Sequence, residues 1–288
     1  MQLLNCSKPE DHLGGVQKNA LTFGYDDPVQ GCVNDCFLIA ALSSVAWGSN
    51  SRAKLTNGST VTFYKPTGGT YPSVTTSLTF PMDSTPNLLY ARSQGGYHWP
   101  LLYEKAYAIK NTNPRTDPPP YSAALNGGDG YNALIELTGF PVRIKKGVEI
   151  VNEKKVYTLP NLTDQTIFTD LGSYSGNKTK NAAVAMTRNS DELPPAYNKT
   201  LPAGLHPMHT YSILGKYSDG TKNYLVLRNP YRGIIPNPEP TDTAIVARPQ
   251  ALWEGIDLKT ADGIFALLMN TFKECFAYYA VVKPTEGA

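Results

Sequence analysis

The chain has no long hydrophobic run and no run of like charges. Its longest apolar stretches, 37–42 and 277–282, are far shorter than the roughly 20 residues that a helix needs to cross a bilayer. The formal net charge is only +2, and basic residues occur singly or in short pairs. We therefore expect no nucleic-acid partner and no membrane partner, and nothing implies an oligomer. The first residues show no basic region before an apolar segment, so we expect no signal peptide.

Patterns of metal ligands are also missing. The chain has four histidines and four cysteines, with no Cys-X-X-Cys pair and no histidine at ligand spacing from a cysteine. We therefore predict no metal site and no required cofactor.

The most informative stretch runs from Gln30 to Leu42. From Cys36 to Trp47 the sequence is apolar and rich in helix formers, and Asp35 stands at the N-cap position. A sulfur at the positive end of a helix is stabilised as the thiolate, which is the form that attacks carbonyl groups. The side-chain amide of Gln30 can donate a hydrogen bond to the oxygen of such a carbonyl. The alternative is a buried cysteine that opens a core helix.

Two β-prone segments, 210–217 and 223–228, flank a Ser-Asp-Gly turn and predict an antiparallel hairpin. His209 precedes the first strand and Asn229 follows the second, so the hairpin brings them side by side. A histidine in this place can take the proton of the Cys36 thiol and later protonate a leaving amine, while the asparagine holds the ring in one tautomer. Taken separately, they are an ordinary strand histidine and a turn asparagine. Taken together with Cys36 and Gln30, they predict one catalytic site.

The coarse pattern divides the chain in two. Helices are predicted over 36–47, 98–108 and 131–137, with short strands at 61–64 and 77–80. Beyond Pro141 short β-prone pieces dominate, including 149–151, 155–157, 182–186 and 278–282. Phenylalanines at 265, 272 and 276 predict a helix near the end of the chain. We therefore predict a helical lobe at 1–140 and a β-rich lobe at 141–288.

Six segments, in order, resemble motifs of the calpain cysteine proteases. They are Gln30-Gly31 with Asp35-Cys36-Phe37-Leu38, Trp99–Ala108, Gly127-Gly128 with Thr138-Gly139, His209-Thr210-Tyr211-Ser212, Arg228-Asn229-Pro230-Tyr231, and Asp262-Gly263-Ile264-Phe265. The resemblance extends over about residues 22–282. It implies an α+β fold of the papain-like type, with two lobes and a substrate cleft between them. It also implies a cysteine endopeptidase that cuts proteins or peptides through a thioester acyl-enzyme.

By this resemblance Cys36 is the nucleophile, His209 the base, Asn229 the orienting residue and Gln30 an oxyanion-hole donor. The same motifs place Gly127, Gly128, Met208 and Tyr231 at the substrate. The two glycines match positions beside the bound peptide backbone in the family.

Several positions depart from the family pattern. Asn34 replaces a glycine, and asparagine tolerates a positive φ better than most residues. Met208 replaces another glycine and narrows the cleft, and Tyr231 replaces a tryptophan that covers the His–Asn hydrogen bond. Cys32 lies four residues before Cys36, and a disulfide between the two is one further possibility.

Standard calpains bind calcium in the protease core, so the resemblance allows calcium here. No stretch aligns as an oxygen-ligand loop, and we expect activity without the ion. Two other functions stay open: acyl or amide transfer through the same thioester, and a binding module that has lost turnover. A free thiol at Cys36 favours a cytoplasmic location, which we expect. Secretion is the alternative, because only 17% of the residues are charged and several Asn-X-Ser/Thr sequons occur.

Overall fold

A computed structural model of the chain describes residues 23–56, 58–82, 87–151, 154–202, 204–231, 245–246, 252–258 and 263–284. The motif residue Asp262 and the cysteine at position 6 lie outside these ranges. Within them the α-helices are α1 (Cys36–Trp47), α2 (Trp99–Lys110), α3 (Tyr121–Ala124), α4 (Gly130–Thr138), α5 (Asp164–Leu171) and α6 (Met269–Cys275).

The strands are short at the start of the chain and longer towards its end. They are β1 (Pro28–Val29), β2 (Thr60–Val61), β3 (Val74–Thr75), β4 (Arg92–Ser93), β5 (Val142–Lys146), β6 (Val148–Val151), β7 (Lys154–Tyr157), β8 (Tyr174–Ser175), β9 (Lys178–Thr179), β10 (Ala183–Thr187), β11 (Thr210–Ser218), β12 (Asn223–Arg228), β13 (Ile245–Val246), β14 (Leu252–Trp253), β15 (Ile256–Asp257), β16 (Ile264–Leu268) and β17 (Phe276–Val282).

One antiparallel sheet holds most of these strands, in the order β13-β16-β12-β11-β10-β17-β5, with β8 and β9 attached beside β11. The predicted hairpin is present as β11 paired with β12, with Ser212 opposite Arg228. Helices combined with an antiparallel sheet make the fold class α+β, as the sequence predicts.

Both faces of the sheet are buried, because successive side chains of a strand point to opposite sides. On one face, Val184 and Ala280 pack with the apolar residues of α1, α2 and α4. On the other face, Ala185 and Val281 pack with α5 and α6. The helices of the first half of the chain thus share a hydrophobic core with strands of the second half.

Helix α1 is apolar on all sides, and every residue after Cys36 is buried, as expected for a central helix. Buried hydrogen bonds attach it to β11: Ser212 Oγ donates to the Ala40 carbonyl at 2.7 Å, and Trp47 Nε1 donates to the Leu214 carbonyl at 2.7 Å. The start of α1 therefore has a fixed position relative to the strand that follows His209.

The predicted helices at 36–47, 98–108 and 131–137 are confirmed as α1, α2 and α4. Gly139 ends α4 at a φ of 70°, a left-handed conformation that glycine adopts at little cost. The predicted strand at 77–80 is wrong, since the strand of that region is β3. The helix predicted near the end of the chain is confirmed only in part: 269–275 is helical, whereas 264–268 is a strand.

Candidate active site

The nucleophile candidate, Cys36, is the first residue of α1. The Asp35 carbonyl accepts hydrogen bonds from the N–H groups of Leu38 and Ile39 at 2.8 and 3.1 Å, which starts the helix. The Asp35 side chain makes no capping hydrogen bond, so the predicted N-cap role of this side chain is wrong. Cys36 keeps part of its surface exposed, whereas the rest of α1 is buried. Its free thiol therefore stands at the one accessible end of a buried helix.

The protonation state of this thiol differs from the sequence-based expectation. Burial raises the pKa of Cys36 to about 11, and the neighbouring Asp35 charge raises it further, although hydrogen bonds from Thr210 and Phe37 lower it. Burial thus outweighs the helix N-terminus. A resting thiolate is not supported, and the thiol has to lose its proton as it reacts.

His209 and Asn229 lie side by side, as the hairpin predicts. His209 Nε2 and Asn229 Oδ1 are 3.0 Å apart, and both residues are buried. The Tyr231 backbone N–H also donates to Asn229 Oδ1, at 3.0 Å, which fixes this atom as the acceptor. Nε2 of the histidine therefore carries the hydrogen, and Nδ1 keeps a lone pair that can accept a proton.

Aromatic rings enclose the imidazole. Tyr231 stacks on His209 with ring centroids 4.8 Å apart and an interplanar angle of 4°. The Tyr211 ring meets the histidine edge-on at 5.0 Å, and the His206 ring does so at 5.5 Å. Burial lowers the pKa of His209 to about 4, so the ring is neutral at physiological pH and its unprotonated nitrogen keeps a free lone pair.

Thr210 links the two halves of the site. It follows His209 directly in the chain, and it lies close enough to Cys36 to lower the pKa of the thiol. The residue that follows the base candidate thus lies beside the nucleophile candidate, where α1 meets β11.

Gln30 lies in the loop before Cys36. Its backbone N–H donates to the Pro230 carbonyl at 2.9 Å, which ties this loop to the residue after Asn229. Its side-chain Nε2 donates to the Val33 carbonyl at 2.8 Å. An amide nitrogen carries two hydrogens, so one remains for the oxygen of a substrate carbonyl.

Gly127 and Gly128 lie on the loop before α4, next to the nucleophile loop. Gly127 has a φ of 85°, and its N–H donates to the Asn34 carbonyl at 2.9 Å. A Cβ atom on Gly128 would lie 2.9 Å from the Phe37 ring, closer than normal contact. One glycine is therefore required by its backbone conformation and the other by the ring beside Cys36.

Comparison with known proteins agrees with this geometry. A family model described as calpain family cysteine protease matches residues 17–281. The chain belongs to the calpain family of cysteine proteases. It is also similar to a protein named thiol protease from Porphyromonas gingivalis (strain ATCC BAA-308 / W83), with 29% identity over 296 aligned residues. The alignment covers 92% of this chain and 56% of that protein, so the chain spans little more than half of this relative's length.

This calpain-family chain departs from the family pattern at two loop positions in a way that the sequence only partly predicts. Met208 has a φ of 51° and a side chain that is 61% exposed, directly before His209. Asn34 is not among the described residues with positive φ. The positive φ at a residue that replaces a family glycine therefore occurs at Met208, beside the base candidate. The positive φ expected at Asn34 is not present, so that expectation is wrong. The placement of Met208 beside His209 fits the predicted substrate contact, which stays a prediction.

Cys32 is disulfide-bonded, whereas Cys36 and Cys275 are free thiols. The disulfide between Cys32 and Cys36 is therefore not formed. Cys36 is left available for chemistry.

Two buried carboxyl groups, which the sequence does not predict as part of the site, lie behind the nucleophile. Asp35 is fully buried, and its carboxyl faces that of Glu104 of α2, which is also buried. Both residues lie in the calpain motifs, but nothing in their spacing, 69 positions apart in the printed sequence, predicts that they meet.

The contact between Gly128 and Phe37 leads to a stability prediction. Gly128→Ala should lower the free energy of unfolding by about 1–3 kcal/mol, because the added methyl group overpacks the ring. It should also change the rate at which iodoacetamide alkylates Cys36, the residue next to Phe37. Urea unfolding and mass-spectrometric alkylation rates measure the two effects.

Gly127→Ala is the matched control for this prediction. Its Cβ atom would meet no described atom within 4 Å, so it should cost only about 1–2 kcal/mol of backbone strain and leave alkylation of Cys36 unchanged. Equal alkylation rates in the wild type and Gly128→Ala would show that the ring does not position the thiol.

Proposed function

We propose that this chain is a calpain-type cysteine endopeptidase that hydrolyses peptide bonds in proteins or peptides. The hydrogen bond between His209 and Asn229 supports this most directly, because it orients the imidazole of His209. The next residue, Thr210, begins strand β11 and lies beside the sulfur of Cys36. Cys36, His209 and Asn229 form the proposed triad, and Gln30 completes it as an oxyanion donor.

In the proposed reaction, the Cys36 sulfur attacks the carbonyl carbon of the scissile peptide bond. Its proton passes to Nδ1 of His209, since Nε2 is held by Asn229. The carbonyl oxygen becomes an oxyanion that accepts hydrogen bonds from the Cys36 N–H and from Gln30 Nε2.

The tetrahedral intermediate then breaks at its carbon–nitrogen bond. His209 gives its proton to the leaving amine, and a thioester remains on Cys36. His209 then takes a proton from a water molecule, whose oxygen attacks the thioester carbon. The carbon–sulfur bond breaks, the carboxylic acid is released, and His209 returns its proton to the Cys36 sulfur. Stacking of Tyr231 on the imidazole keeps bulk water from the His–Asn hydrogen bond during both steps.

The fold of the proposed enzyme is papain-like, with a helical lobe at 1–140, a β-rich lobe at 141–288 and the substrate in the groove between them. Gly127, Gly128, Met208 and Tyr231 line this groove in the proposal. The exposed loop glycines next to Cys36 leave the backbone of the groove open for pairing with an extended peptide.

A peptidyl chloromethyl ketone tests this function. The reagent should alkylate Cys36 and not Cys275, a free but buried thiol that serves as internal control. Hydrolysis of a casein or peptide-library substrate should stop in proportion to the labelling. If the reagent labels Cys36 completely but the unlabelled protein hydrolyses no substrate, the chain is a binding module that has lost turnover. New amide products with an added amine would instead identify acyl transfer.

Activity is expected to survive removal of calcium. Among the acidic residues of the described chain, Glu136 pairs with Lys110 at 2.9 Å, and Asp129 accepts a hydrogen bond from the Tyr131 hydroxyl at 2.8 Å. Peptide hydrolysis should therefore be unchanged in excess EGTA. Loss of activity in EGTA, restored by calcium and not by magnesium, would contradict this prediction.

The compartment is a separate proposal. Among the described residues no helix is long and apolar enough to cross a membrane. The disulfide at Cys32 favours an oxidising compartment over the cytoplasm, because structural disulfides persist mainly outside reducing compartments. We therefore prefer the secreted alternative.

A further inference from the structure

The pair of carboxyl groups behind the nucleophile carries an inference of its own. The carboxyl of Asp35 is 0% exposed, and within the described part of the chain neither of its oxygens accepts a hydrogen bond from a donor group. What faces it is the carboxyl of Glu104, which is 2% exposed. Two buried carboxyl groups that face each other can form a hydrogen bond only if one of them is protonated.

Glu104 is itself held firmly. Its Oε1 and Oε2 each lie 2.9 Å from the backbone nitrogen of Ala91, which donates the hydrogen bond. Glu104 lies in the middle of the buried helix α2. In the described ranges no lysine, arginine or histidine forms an ion pair with Asp35 or Glu104. A hydrogen bond between the carboxyl groups of Asp35 and Glu104 therefore requires a proton that the two groups share.

Among the described residues, the titratable groups that act on the pair carry no charge that could replace this proton. The titratable groups that act on it from neighbouring elements are the phenols of Tyr90, Tyr121 and Tyr231 and the thiol of Cys36. All of these are neutral at physiological pH. Burial raises the pKa of Asp35 to about 7 and that of Glu104 well above its usual range.

We propose that Glu104 is a positioning residue for the nucleophile, acting through one proton that it shares with Asp35. The backbone of Asp35 starts α1, and its next residue is Cys36, so the shared proton fixes the carboxyl that precedes the nucleophile. Loss of this proton places two negative charges behind the sulfur, which opposes formation of a thiolate there. The catalytic part of this inference rests on the proposed function, whereas the shared proton does not.

The shared proton is tested by stability, which needs no activity. A folded protein that holds a proton lost on unfolding becomes less stable as pH rises, here from about 4 to about 7. In Glu104→Gln the amide replaces the proton as a donor to Asp35. The free energy of unfolding of this variant should therefore fall less steeply with pH, by about one proton's worth of slope. Equal slopes in the two proteins would overturn the proposal.

The positioning role is tested by kinetics in the same variants. Glu104→Gln should retain kcat near neutral pH and extend activity to higher pH, whereas Glu104→Ala should lower kcat with little change in KM. Glu136→Gln, which removes a buried carboxyl that pairs with Lys110, is the control and should not shift the pH profile. An unchanged pH profile in Glu104→Gln would overturn the role of Glu104. Inactivity of the wild type would contradict the proposed function and leave the stability test intact.

Discussion

Cys36→Ala should abolish peptide hydrolysis, with kcat/KM falling by at least about 10⁴-fold. Alanine removes the only atom that forms the thioester, and its smaller side chain fits at the start of α1 without a clash. Hydrolysis of a fluorogenic peptide by purified wild type and variant measures the effect. Circular dichroism and the thermal midpoint should be unchanged, since the sulfur is a minor part of the core.

Cys275→Ala is the matched control for this experiment. It removes the other free cysteine of the described residues, which is buried in α6 on the opposite face of the sheet. Its activity should equal that of the wild type after correction for any loss of folded protein. Equal digestion by wild type and Cys36→Ala would show that another residue is the nucleophile.

His209→Ala should lower kcat/KM by about 10²–10⁴-fold, the contribution of a general base. The neutral thiol makes the enzyme especially dependent on this residue, because the pKa of Cys36 is about 11 and few thiolates exist at rest. Activity of the variant should therefore rise with pH up to the stability limit of the protein, as hydroxide replaces the base.

Asn229→Ala separates orientation from proton transfer. Loss of the 3.0 Å hydrogen bond frees the imidazole to adopt either tautomer, so kcat should fall less than in His209→Ala, and the pH dependence should keep the shape seen in the wild type.

A His209→Ala enzyme with wild-type kcat/KM at neutral pH would refute the assignment of the base.

The sequence predicts the helices and the hairpin because their signals are local. Helix α1 begins after Asp35 and ends before Gly48, and the hairpin has a turn sequence of its own. The terminal segment is different. Residues 264–268 are all apolar because both faces of β16 are buried, so periodicity does not distinguish strand from helix there.

The candidate site also has some features that local sequence signals predict and others that depend on long-range packing. The meeting of His209 with Asn229 is a consequence of strand pairing and could be predicted from the sequence. The thiol's protonation state could not be predicted, since it depends on burial by residues that are far apart in the chain. The contact of Asp35 with Glu104 likewise depends on how α1 and α2 pack.

The attachment of α1 to β11 has one more consequence. Because Ser212 and Trp47 join helix and strand by buried hydrogen bonds, the elements that carry the proposed nucleophile and follow the proposed base are fixed to each other. In the proposed enzyme, we therefore expect inhibition by a segment that occupies the substrate groove rather than by separation of these two elements.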